Sequence, residues 1–244
     1  CISNLRYDSV CIHIIKYMKN FLLSIAIFSL FAFKSFGHVD HYANFNYLEY
    51  ELFRNNKSIG YHKFDFKREG DNLSIISEVS FKITKLGVDL YKYYAKSNEN
   101  YKKGVFVDYS SKTRQNKKDR YVNIGVDTID GNLIINGSSY KGKANKEYIV
   151  GTWWNHEIIK AKAQISGISG RIIEQTVTFL GKEEINIGGK TYKTLHFNFK
   201  SSDETLPDSK KLNTDIWYEE ETYLWVKAAF DKMGYWEYRI KKTN

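Results

Sequence analysis

The segment Trp153–His156 is the strongest candidate for a ligand site in this sequence. It joins two adjacent indoles to an amide and an imidazole, Asn155 and His156. A strand would point the indoles to opposite faces and a helix would separate them by about 100°, so one can pack inside while the other covers a pocket mouth. Aromatic surface beside a few polar groups is typical of pockets for apolar ligands. The predicted ligand-binding residues are Trp153, Trp154, Asn155, His156, Tyr61 and Trp217. The alternative is that both tryptophans only plug the end of a barrel.

Signatures of catalysis and of metal binding are missing from the sequence. His62, His156 and His196 are scattered singly, without the spacing of a zinc site. There is no Gly-x-Ser-x-Gly elbow and no glycine-rich phosphate loop. We therefore predict no metal site and no cofactor, and the catalytic residues, if any, are unknown. These absences favour a binding or structural protein, and an enzyme of unrecognised type with its site near Trp153–His156 is the alternative.

The segment Met18–Gly37 has the order of a secretory signal peptide. Lys19 is followed by the apolar run Phe21–Phe33, and Ser35 and Gly37 then form a small-x-small cleavage site. The run is shorter than the roughly 20 apolar residues that span a bilayer. We expect cleavage after Gly37 and a periplasmic or secreted protein.

Three segments follow from this interpretation. Residues 1–17 are interpreted as an over-extended N-terminus, 18–37 as the signal peptide, and 38–244 as a single β-rich domain. The rival interpretation is a longer N-region or an uncleaved anchor over Ile12–Phe33, which Lys16 and Lys19 disfavour. Both cysteines lie before Met18, so we expect neither disulfide nor thiolate chemistry in the domain.

The basic character of the chain bears on its partners. The formal net charge is +9, and removal of residues 1–37, with four cations and one acid, leaves +6. This charge weakly favours peripheral contact with an anionic membrane surface. A basic run at Lys112–Arg120 could meet phosphate groups, although a polar hairpin explains it equally well. We expect no nucleic-acid partner, because the protein is predicted to be exported. The oligomeric state does not follow from the sequence.

Alternating apolar and polar residues predict that the domain is built of strands. Leu48, Tyr50 and Leu52 share one face of the first run. The same alternation predicts a further set of inward-pointing side chains: Val79, Phe81, Leu195, Phe197 and Trp236. Turn signals such as Asn55-Asn56 and Gly188-Gly189 separate the runs. The predicted fold is all-β: an antiparallel meander of about ten to twelve strands forming a barrel or strongly curved half-barrel. A short helix is expected near residues 153–166.

With these landmarks placed, the chain resembles an exported bacterial family known only as domain of unknown function DUF6134. The resemblance covers about Phe45 to Ile240 and is carried by Tyr50–Phe66, Leu86-Gly87 with Tyr91-Lys92-Tyr93, Glu99-Asn100-Tyr101, Trp153-Trp154-Asn155 and Ile216-Trp217-Tyr218. It implies no activity and no catalytic residues. It also implies a weaker, fold-level likeness to the curved β-sheets of lipoprotein carriers.

These observations lead to a function hypothesis with two alternatives. The first is a non-enzymatic envelope protein in which a curved sheet encloses an apolar or lipid-like ligand, with tryptophan and tyrosine lining it. Aromatics make up 16% of the chain, although most are expected to pack the core. The alternatives are the unrecognised enzyme and a structural factor that binds another protein.

Overall fold

The computed structural model describes residues 42–244. The predicted signal peptide, its cleavage site and the over-extended N-terminus therefore lie outside the described residues. No helix within 42–244 combines the length and the apolar character needed to cross a bilayer.

Fifteen strands form one sheet, in agreement with the predicted all-β fold and exceeding the expected count. The strands are β1 (Tyr47–Arg54), β2 (Lys57–Glu69), β3 (Asn72–Lys85), β4 (Val88–Lys102), β5 (Val105–Gln115), β6 (Lys118–Val126), β7 (Leu133–Gly137), β8 (Lys141–Ala144), β9 (Ile149–Val150), β10 (Ala163–Ile165), β11 (Ile172–Ile187), β12 (Lys190–Ser201), β13 (Asn213–Glu219), β14 (Trp225–Asp231) and β15 (Tyr235–Thr243). The additional strands are short pieces such as β8 to β10, which are too brief to show alternation in sequence.

The sheet consists of two meanders joined in the middle. The spatial order runs β8 to β1, then β15 back to β9, so β1 pairs with β15. All pairs are antiparallel except β9 with β10, which is parallel. Between these strands a 3₁₀ helix, His156–Ile159, occupies part of the expected helical segment.

The strongly curved sheet is closed by side chains instead of by strand pairing. Buried residues of β5 to β7 pack against Val150 of β9 and Ile165 of β10. The backbone N–H of Ser139 also donates to the carbonyl of Ser169, at 2.9 Å. These contacts bring the two ends of the sheet together across the concave face.

The main core confirms the predicted alternation of β1. Leu48, Tyr50 and Leu52 are fully buried. The ring of Tyr50 stacks on Trp225 at 4.0 Å, and its hydroxyl donates to the Trp225 carbonyl at 2.7 Å. Aromatic pairs of this kind add to the stabilisation from burial alone.

The other residues predicted to point inward are half-buried. Val79, Phe81 and Phe197 pack against the main core. Trp236 makes an edge contact with Phe81, with their ring centroids 5.3 Å apart. Of these residues, Val79 lines the cavity inside the curve of the sheet.

The turns divide the sheet into two ends, which we call the rim and the base. The rim carries the β1–β2, β3–β4, β5–β6 and β14–β15 turns. At this end Arg54, the last residue of β1, pairs with Lys57 at the start of β2 and with Trp236 near the start of β15. The base carries the β2–β3, β4–β5, β11–β12 and β13–β14 turns. Trp154, Phe66 and Tyr101 pack together towards the base.

Candidate functional site

A cavity of about 540 Å³ lies inside the curve of the sheet. Its floor is formed by rows of small side chains on adjacent strands. Ser77, Ser97 and Ser111 are directly paired across β3, β4 and β5, and beside them Val79, Ala95 and Thr113 form a second row. Because side chains of this size cannot reach across the concave face, the interior stays open towards the rim.

Aromatic side chains form the walls of the cavity. The wall residues are Phe64, Tyr93, Trp153, Phe230 and Tyr238. The centroids of Trp153 and Tyr238 lie 5.6 Å apart in an edge-on arrangement. The site therefore combines an apolar wall with a hydroxyl-bearing floor, which suits a mainly apolar ligand with a few polar atoms.

Three cations and two acids lie at the rim side of the cavity: Arg171, Lys211 and Lys232, with Asp208 and Asp231. Lys211 is paired with Asp208 at 3.1 Å. Arg171 makes no ion pair with any residue in 42–244. Burial lowers the pKa of Lys232, and the positive charge of Arg171 lowers it further. The positive charge at this side of the cavity thus comes mainly from Arg171 and Lys232.

His62 is the titratable residue on the inner face of β2 beside the cavity floor. Its Nε2 lies 2.7 Å from Ser77 Oγ. Its Nδ1 is buried and has no hydrogen-bond partner among the described residues. Burial lowers the pKa of His62 to about 3, because the rings of Phe64, Tyr50 and Trp225 offer no charge to offset desolvation. The imidazole is therefore neutral at physiological pH.

Trp153 is conformationally strained. Its φ of 57° lies in the left-handed region, which bulky residues rarely adopt. The indole packs edge-on against Trp225 and Tyr238, and its buried Nε1 has no acceptor among the described residues. A strained residue with an unsatisfied donor on a cavity wall is a candidate functional position.

The neighbouring predicted residues lie in the base instead of at the cavity. The Trp154 indole is fully buried and donates from Nε1 to Glu99 Oε2 at 2.9 Å. Asn155 donates to the Tyr101 hydroxyl at 3.3 Å, and the ring of His156 stacks on Tyr223 at 4.6 Å. These contacts assign Asn155 and His156 to the packing of the base. The expected separation of the two tryptophans is thus present, with Trp153 on the cavity wall and Trp154 in the core.

Glu99 anchors this base network; it lies in a segment that carries the family resemblance but was not predicted as a site residue. Its carboxylate accepts hydrogen bonds from the Tyr101 hydroxyl at 2.6 Å, from Trp154 and from Thr152. Burial raises the pKa of Glu99, while these three donors partly offset that effect. Nothing in an alternating strand distinguishes a buried glutamate from a solvated one, so only the three-dimensional packing reveals it.

Tyr61 and Trp217 lie on the convex face, on the side of the sheet away from the cavity. The Tyr61 hydroxyl donates to Glu78 at 2.6 Å. Trp217 stacks on His196 at 4.1 Å. Neighbouring residues on the same strands, His62 and Ile216, point inward instead. Of the six predicted ligand-binding residues, the structure brings only Trp153 to the cavity wall.

Residues 42–244 contain no group of three or more histidine, aspartate or glutamate side chains placed to hold a metal ion.

The serine rows of the cavity floor were not predicted from the sequence, although a signal was present. Tyr93-x-Ala95-x-Ser97 and Tyr109-x-Ser111-x-Thr113 place small residues on one face of successive strands.

The family model described as Domain of unknown function (DUF6134) matches residues 50–241. The chain belongs to this family. Among curated proteins, none matches the chain. The DUF6134 assignment agrees with the resemblance in the hairpin and tryptophan segments, and it brings no activity with it.

A solved structure supports the barrel-like fold of this DUF6134 protein. It is titled as a beta-barrel-like protein of domain of unknown function DUF1849 from Brucella abortus. It matches with a TM-score of 0.57 and 9% identity, covering 81% of this chain and 96% of its own. A DUF1329 family protein from Desulfovibrio piger covers 84% of this chain and 88% of its own, at 10% identity and a TM-score of only 0.25. The first likeness concerns the fold alone.

Proposed function

We propose that this protein is an exported, non-enzymatic envelope protein that binds an apolar or lipid-like ligand in the cavity of the curved sheet. The observation that carries the proposal is the cavity of about 540 Å³ between an aromatic wall and the serine rows. Its volume falls within the roughly 300–1,000 Å³ of ordinary ligand sites. Export to the periplasm or beyond is the part that rests on Met18–Gly37 alone.

Trp153 is the residue through which the ligand would act on the protein. It lines the cavity, its backbone is strained, and its indole N–H is unsatisfied within residues 42–244. An unsatisfied buried donor costs about 1–3 kcal/mol. A small rearrangement that lets this N–H meet a polar atom of the ligand would recover part of that free energy.

The alternative of an enzyme near Trp153–His156 has less support from the geometry. The acid in that region, Glu99, is buried and accepts hydrogen bonds from three side chains. Its contacts resemble those of a packing network that fixes Trp154. A cavity-bound ligand accounts better for the open space.

Filling the cavity tests the proposal. Ser97→Leu adds an apolar side chain to the cavity floor, whereas Ser110→Leu makes the same change on the exposed convex face of β5. We expect oleate to change the tryptophan fluorescence of the wild type and of Ser110→Leu, and to leave Ser97→Leu unchanged. In native mass spectrometry, the protein purified from its own envelope should show the added mass of a bound lipid. Equal oleate responses in both variants, or no response in the folded wild type, would overturn the proposal.

A further inference from the structure

The β3–β4 hairpin carries a cluster of solvated apolar side chains at the rim. Leu86 is 95% exposed, Val88 61% and Leu90 55%. They follow one another around a two-residue turn, since Lys85 pairs with Val88. Apolar residues concentrated on a protruding tip commonly mark an interaction site.

Leu86 occupies a turn position that other residues would adopt at lower cost. Its φ is 52°, and the following Gly87 has a φ of 79°. Two positive φ angles define the hairpin turn that favours Asn-Gly or Gly-Gly. Met233 repeats this pattern in the β14–β15 turn of the same rim, with a φ of 55° and 88% exposure. Two apolar residues held in left-handed turns at one end of the sheet point to a role outside folding.

Basic side chains surround these tips. Asp89, the acid of the β3–β4 tip, is within 4.0 Å of both Lys82 and Lys92. Seven cations and two acids occupy residues 82–92 and 114–120 of the two neighbouring hairpins: Lys82, Lys85, Lys92, Arg114, Lys117, Lys118 and Arg120, with Asp89 and Asp119. Lys85, Lys117 and Lys118 are exposed and make no ion pair with any residue in 42–244. The excess positive charge is therefore available to an anionic partner.

An exposed isoleucine at the base provides the contrast. Ile129 is 91% exposed in the β6–β7 turn. Asp127 and Asp130 flank it, and both are paired with Lys143. Its surroundings carry no excess positive charge, so the combination of an apolar tip and free lysines distinguishes the β3–β4 tip from the Ile129 turn.

We propose that the rim docks on an anionic lipid bilayer, with Leu86 entering the interfacial region and the lysines of the β3–β4 and β5–β6 hairpins facing the lipid head groups. Apolar insertion and lysine attraction to anionic lipids reinforce each other in this arrangement. The cavity opens towards the same end of the sheet. A docked protein would thus present the cavity opening to the membrane surface, although the docking itself does not depend on the proposed ligand.

Vesicle co-sedimentation tests the docking. Binding to phosphatidylcholine vesicles is compared with binding to vesicles that also contain phosphatidylglycerol. The wild type and all variants have the same N-terminus, so any contribution of residues outside 42–244 to binding is the same in each. Leu86→Asn creates the Asn-Gly turn that this geometry prefers, so it should fold at least as well as the wild type. Ile129→Asn is the matched control.

We expect the wild type and Ile129→Asn to bind the phosphatidylglycerol vesicles, and raised ionic strength to weaken that binding. Leu86→Asn should weaken partitioning roughly tenfold or more. The double variant Lys117→Gln/Lys118→Gln should weaken it by about fivefold per lysine. Equal binding to both vesicle types, no binding to either, or equal effects of Leu86→Asn and Ile129→Asn would overturn the proposal.

Discussion

Acidification should destabilise the protein through His62. The folded state holds the pKa of this imidazole at about 3, against an ordinary value of 6.5. Between these values the unfolded chain binds a proton that the folded protein excludes. The stability from neutral His62 is thus fully present above pH 6.5 and is lost as the pH falls towards 3.

The size of this effect follows from the shift. Each pH unit below the unfolded pKa removes up to about 1.4 kcal/mol from the free energy of unfolding. From pH 7 to about pH 5 the contribution of His62 amounts to about 2 kcal/mol. The surroundings support a shift of this kind, since the rings of Tyr50, Phe64 and Trp225 lie around the imidazole and Ser77 is its hydrogen-bond partner.

Urea unfolding of the wild type and of His62→Gln measures the contribution. Glutamine can still reach Ser77 but takes up no proton. Between pH 7 and pH 5 the variant should lose about 2 kcal/mol less stability than the wild type, while acid effects from other groups act on both. Identical losses, or an NMR titration that gives His62 a pKa near its ordinary value, would refute the reasoning.

Three further changes probe the core, the base and the packing of β2 against β3. Phe199→Ala should lower the free energy of unfolding, measured in urea, by about 3–5 kcal/mol, because Phe199 is fully buried. Phe197 is half-buried, so Phe197→Ala should lower it clearly less, and equal losses of stability would contradict this packing. Because burial raises the pKa of Glu99, the wild type should lose stability as pH rises from the ordinary value of 4.5 through the raised folded value. Glu99→Gln should lack that loss, and parallel pH–stability curves would argue against it. Gly60→Ala would place a Cβ 2.1 Å from the Ser80 carbonyl oxygen and should cost about 1–3 kcal/mol, whereas Gly125→Ala meets nothing within 4 Å. Similar melting temperatures for the two glycine variants would show that β2 can move aside.

The alternation of residue types determined much of the fold in advance. Leu48, Tyr50 and Leu52 are buried as their pattern predicts. Turn residues such as Asn55-Asn56, both with positive φ, end the strands where expected. These features are local, because side-chain direction on a strand repeats every two residues and turn geometry depends on a few φ angles. The short strands β8 to β10 lack enough residues to show the period.

The candidate site depended on information that a single strand does not contain. Alternation shows that Tyr61 and His62 face opposite sides, but the curvature of the sheet decides which side encloses the cavity. The alignment of Ser77, Ser97 and Ser111 depends on the register between three strands. An open interior arises only where small residues on neighbouring strands coincide. Tertiary structure therefore decided that Trp153 lines the cavity while Trp217 packs outside, because burial depends on what the opposite side of the fold brings near.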